Sequence, residues 1–215
     1  KIFRNIASNI GGYAVNALVT MLLTPFVLRN LGDARYGVWV LTSSIFGYYG
    51  LLDLGFRAGV TQFLTQYLST RDYDKANECM SSSVAVLSGV GAFLVGLTFM
   101  VASIAPRFYS FPKGMEREIY HCILIVGISS GIGFVFFPFM AVYTATQRFD
   151  IANIIGVGTR LLMAGGIYWM LRMGYGLVGI SAASCGASLI DYTIRWRITY
   201  RLVPQLKISW AKVRL

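Results

Sequence analysis

Long apolar stretches, separated by short charged or proline-containing breaks, dictate what this chain can become. Six of them run over about 6–28, 36–68, 80–105, 119–146, 150–171 and 177–200. A helix needs roughly 20 apolar residues to cross a hydrocarbon core of about 30 Å. In lipid only helices and closed barrels satisfy their own backbone. These stretches are too long and too continuous for barrel strands, which alternate over about ten residues. The expected fold is all-α: a polytopic bundle of six transmembrane helices over residues 1–202. A basic, mildly amphipathic segment, 203–215, then lies at the cytoplasmic membrane surface.

Composition agrees. Hydrophobic residues make up 56% of the chain and charged ones 13%, with a mean hydropathy of +0.61, against about 25% charged in soluble domains. A net charge of +10 would suit nucleic acid, but the basic residues cluster at segment ends, as a topology signal places them. Nucleic acid is therefore not an expected partner; membrane lipid is. If the N-terminus is cytoplasmic, eleven of the 19 Lys and Arg fall on the inner side and six on the outer. Both ends of this chain are then cytoplasmic, in a multi-pass membrane protein. The lone His121 sits near a segment end, and Cys79, Cys122 and Cys185 lack metal or redox spacing. With no nucleophile–base constellation either, the chain does not read as an enzyme, and no cofactor or resident metal is expected.

Charge inside the apolar segments is the functional signal, because a charged group at the bilayer centre costs from roughly 3 to more than 10 kcal/mol. Asp53 and Arg57 stand four residues apart in the second segment, where a continuous helix would bring them together. They read as a functional pair or as a lock between helices. Gly55 and Gly59 beside them read as a small-residue step for close packing. Arg160 lies twelve residues from both Arg148 and Arg172, roughly 18 Å from each, too deep to snorkel. Asn153 shares its helix face. Asn5, Asn9, Gly12, Asn16 and Thr20 form one polar stripe on the first helix, suited to interhelical hydrogen bonds or to lining a cavity. Gln62 adds polarity to the second. Pro25 and Pro138 predict kinks. Asp191 and Arg195 are also four apart, but read as close enough to a helix end to meet water.

Several stretches together resemble the Wzx-like polysaccharide flippases, in the multidrug/oligosaccharidyl-lipid/polysaccharide exporter (MOP) superfamily that also holds the MATE transporters. They are Leu22-Leu23-Thr24-Pro25 running to Leu31-Gly32, Tyr36-Gly37-Val38-Trp39, Leu51-Leu52-Asp53-Leu54-Gly55, and Gln147-Arg148-Phe149-Asp150-Ile151-Ala152-Asn153. The resemblance covers nearly the whole chain and matches the family's N-terminal half, so a second six-helix half is expected beyond it. It implies a transporter of a bacterial or archaeal inner membrane, whose two lobes rock to carry a lipid-pyrophosphate-linked oligosaccharide from the inner to the outer leaflet. Arg57 and Arg160 would attract the pyrophosphate or acidic sugars. Asn9, Asn16, Gln62 and Asn153 would line the substrate cavity, and Pro25 and Pro138 would act as hinges. Asp53 would tune Arg57 or carry a coupling Na+ or H+. A polysaccharide polymerase or other assembly machinery is an implied partner. A multidrug or cation antiporter of the same superfamily, and a membrane assembly protein without transport, are the alternatives.

Overall fold

The computed structural model describes residues 2–53, 55–108 and 114–209, with side chains described over 9–50, 55–104 and 114–209. The described residues form seven α-helices: α1 (Ile2–Leu31), α2 (Asp33–Gly47), α3 (Phe56–Ser69), α4 (Tyr73–Phe108), α5 (Glu116–Ala145), α6 (Phe149–Arg172) and α7 (Gly176–Leu202). Five of them (α1, α4, α5, α6 and α7) are long and apolar enough to cross a membrane. The polytopic helical bundle expected from the sequence is the fold observed.

Residues 36–68 are not one helix. Helix α2 ends at Gly47, a 3-10 turn covers Tyr48–Asp53, and α3 starts at Phe56. At 15 and 14 residues, α2 and α3 are each shorter than a span needs. Gly55 separates them with φ +83°, in the left-handed region, which only glycine enters without steric cost. The helical i,i+4 register expected for Asp53 and Arg57 is therefore absent. Asp53 closes the 3-10 turn, and its side chain lies outside the described residues, as does all of Leu54. The packing step is absent too: a Cβ on Gly55 or Gly59 would meet nothing within 4 Å. Gly55 is a turn residue.

Close packing occurs elsewhere. Helix α5 is the spine, touching α4, α7, α3 and α2, while α6 packs on α7 and α1. Gly91 of α4 and Gly131 of α5 bring two backbones together; a Cβ on Gly91 would lie 2.6 Å from the Gly131 carbonyl oxygen. Pro25 and Pro138 lie inside α1 and α5, which stay helical past them, and Pro138 is buried.

Asp72 caps α4 by accepting from the Lys75 backbone N–H (3.1 Å) and pairs with the Lys75 ammonium at 3.1 Å. These two contacts hold its carboxyl below the usual range. The expected surface tail is instead docked as far as it is described. Val203 and Leu206 are buried. The Asn77 side chain donates to the Gln205 carbonyl (3.3 Å) and accepts from the Lys207 N–H (2.7 Å). Residues 210–215 lie outside the described residues.

Candidate functional site

Arg160 organises the polar interior. Asn153, Gly156 and Arg160 fall three, four and seven residues apart, on one face of α6. That face meets the polar stripe of α1. Asn153 donates to Asn9 Oδ1 at 2.5 Å, and a Cβ on Gly12 would lie 3.7 Å from Asn153 Cγ. One helical turn or two further along, the Arg160 guanidinium donates to Thr20 Oγ1 at 2.8 Å. A cleft of about 280 Å³ opens between the helices, lined by Asn9, Asn16, Asn153 and Arg160. The stripe thus both bonds α1 to α6 and lines a cavity. The side chain of Asn5 lies outside the described residues. Arg160 also lines two adjoining clefts, one of about 300 Å³ toward Asp191 and Tyr192, the other of about 310 Å³ toward Trp39.

Arg57 occupies a different cleft. It lies in the first turn of α3, where the helix macrodipole adds to its positive charge. Its guanidinium carbon stands 4.2 Å from the Phe134 ring centre and 4.8 Å from that of Phe137, within cation–π range. Those rings hold the charge at the wall of the cleft. The cleft, about 400 Å³, is closed on one side by Ser130, Gly133 and Tyr192. Tyr192 lines both this cleft and the Arg160–Asp191 cleft. Its ring stacks on Phe136 with centroids 5.5 Å apart. Gly133 makes room for its hydroxyl, since a Cβ there would lie 2.6 Å from it. The two arginines thus sit in two clefts that share one tyrosine.

The sequence reading overlooked the importance of Asp191 and Arg195. Arg195 Nε donates to Asp191 Oδ2 at 2.6 Å, and the two side chains retain only 10% and 13% of their exposure. Thr159 of α6 donates to the other carboxylate oxygen at 3.1 Å. Arg195 also reaches the Ala152 carbonyl at 3.3 Å. The antiparallel pairing of α6 and α7 sets Asp191 level with Thr159 and Arg160, away from the water expected at a helix end. The signal was present: Asp191 is eleven residues from Leu202, roughly 16 Å of helix, nearly the depth counted for Arg160.

Gln62 is exposed on α3 and lines neither the Arg57 cleft nor the three Arg160 clefts. Asn9, Asn16, Asn153 and Arg160 come together, and Arg57 faces the neighbouring cleft. Pro25 and Pro138 line none of these clefts.

Comparison with known proteins gives the family. The chain is similar to the "Uncharacterized membrane protein EpsK" of Bacillus subtilis (strain 168), 21% identical over 155 residues, covering 72% of this chain and 31% of that protein. It is also similar to the "Putative O-antigen transporter" of Shigella flexneri, 27% identical over 96 residues, covering 44% of this chain and 23% of that protein. The chain thus spans less than a third of the length of either relative. No solved structure matches it. The MatE family matches residues 10–169, which is most of the chain and takes in α1 to α6 almost entirely, including both arginines, the polar stripe from Gly12 to Thr20 and the α2–α3 break. The chain belongs to the MatE family, within the MOP superfamily.

Proposed function

We propose that this chain is the N-terminal lobe of a transporter that flips a lipid-pyrophosphate-linked oligosaccharide from the inner to the outer leaflet. The observation that carries the proposal is Arg160: a cation at mid-helix, opening on three clefts and flanked by the amides of Asn9, Asn16 and Asn153. A guanidinium grips phosphate bidentately, and amides bond sugar hydroxyls. Arg57 supplies a second cationic station next door. The O-antigen name of one relative supports this substrate class. The lobe would rock against a second one, so that the clefts open alternately to each side. Na+ or H+ would drive the cycle, with Asp53 as the carrier or the partner of Arg57. Polysaccharide assembly enzymes would meet the glycan on either side. Cation antiport is the weaker reading: of the described carboxylates Asp191 lines an arginine cleft, and Arg195 at 2.6 Å already claims its charge.

Complementation tests the proposal. The full-length protein and its Arg160→Ala and Arg160→Lys variants are expressed in cells lacking their own polysaccharide flippase, and surface glycan is measured against protein amount. Wild type restores export. Arg160→Ala lowers it about tenfold or more at equal abundance, the size expected for a lost charge-assisted contact, and Arg160→Lys retains part. Full export by Arg160→Ala would remove the assignment.

A further inference from the structure

The cleft between α1, α2, α6 and α7 differs in character from the amide-lined cleft. Tyr36 and Trp39 of α2 contribute to its wall, and its floor is the buried apolar cluster of Val27, Ile167 and Ile180. Two residues of its lining each carry a buried polar atom without a hydrogen-bond partner among the described residues: Arg160 at Nε and Ser184 at Oγ. Buried polar atoms are normally satisfied, and leaving them bare carries their full desolvation penalty. Here the two residues that carry such atoms border one cavity of about 310 Å³, within the size range of small-ligand sites.

We infer that this cleft is a subsite for the sugar ring attached to the pyrophosphate of the substrate. The inference rests on the flippase reading above and adds a position for the first sugar. A prenyl or acyl chain would fit the apolar floor but leave both polar atoms unpaired. A phosphate would satisfy Arg160 but set its remaining charge against Val27 and Ile180. A pyranose ring meets both demands. Its C–H face lies against aromatic rings, whose faces carry the negative end of the quadrupole. With a small turn of either side chain toward the cleft, its hydroxyls accept from Arg160 Nε and exchange a hydrogen bond with Ser184 Oγ. Arg160 is the junction: its Nη2 bonds Thr20 at the edge of the cleft, while the guanidinium also borders the amide-lined cleft. The pyrophosphate then lies on the guanidinium and the sugar beside it, against α2 and α7.

Two probes test this on the full-length protein in lipid nanodiscs: a short prenyl pyrophosphate, and the same molecule bearing one N-acetylhexosamine. Binding of each is measured to wild type, Ser184→Ala and Trp39→Phe. The rate of N-ethylmaleimide labelling of T24C, an exposed position in the lining of the cleft, is followed with and without each probe. Ser184→Ala weakens the glycosylated probe about fivefold, the worth of one neutral hydrogen bond, and leaves the bare probe unchanged. Trp39→Phe keeps a ring and stays within about threefold of wild type for both. The glycosylated probe slows T24C labelling at least fivefold, and the bare one does not. Equal protection by both probes would mean that the cleft holds the chain or the phosphate, and would overturn the subsite. So would binding of both without protection, or a T24C thiol already shielded without either probe, as a covering second lobe would leave it. Failure of both probes to bind wild type would overturn the flippase reading itself, and the subsite with it.

Discussion

The side chains in this interior are held by partners whose loss is asymmetric. Asp191 and Arg195 illustrate it. Each is nearly buried, and Thr159 and the Ala152 carbonyl satisfy what the pair leaves over. An ion pair in such a place adds little net stability over a well-packed apolar pair, but breaking it strands a charge. Arg195→Ala should therefore destabilise the protein by about 3–5 kcal/mol, with Asp191→Asn milder, because an amide can still bond Thr159. The double variant Asp191→Leu/Arg195→Met should recover most of the loss. Thermal unfolding in detergent, followed by exposure of the buried Cys122 thiol, measures all three. A double variant as unstable as Arg195→Ala would mean that the pair acts through more than its mutual neutralisation.

At the scale of elements, the legible features were those that repeat with a helical period, and the hidden ones were single-residue events. The polar stripe of α1 and the mid-helix place of Arg160 follow from counting along a helix: Asn9, Gly12 and Thr20 meet α6, and Arg160 falls midway along it. The break between α2 and α3 was hidden because Gly47, Gly50 and Gly55 stand in an apolar run, where glycine also serves helix packing. Packing glycines and turn glycines look alike in sequence. They differ in backbone, and here Gly91 and Gly131 are the first kind while Gly55 is the second. The break has a consequence for the site, because it gives Arg57 a place in the first turn of a new helix. Gly55→Ala would meet no neighbouring atom but must adopt a left-handed φ, at about 1–2 kcal/mol. It should destabilise the protein by that amount, and Gly55→Asn by less, since asparagine tolerates the region better. A gain in stability for Gly55→Ala in the same unfolding assay would mean that α2 and α3 prefer to fuse.

Over the whole molecule, the alternation of long helices sorts the charges onto two ends. The α3–α4 turn, the α5–α6 turn and the docked segment after α7 share one end, which carries Arg71, Lys75, Arg148, Arg201 and Lys207. The opposite end holds Arg29 and Arg117, Arg35, tied to Glu118 at 2.9 Å, and Arg172, whose guanidinium lies over Tyr168. Retention of Lys and Arg on the cytoplasmic side sets the orientation of helical membrane proteins, so the first end should face the cytoplasm. The substrate proposal depends on this, because a lipid-linked glycan made inside must enter from that end. Thiol labelling decides it. In a background with Cys79, Cys122 and Cys185 replaced by alanine, Ser69→Cys reports the α3–α4 end and Met173→Cys the α6–α7 end; both sites are exposed. A membrane-impermeant maleimide added to intact cells should label M173C and spare S69C until the membrane is permeabilised. The reverse pattern would invert the molecule, and the proposed direction of transport would have to be rebuilt from the opposite leaflet.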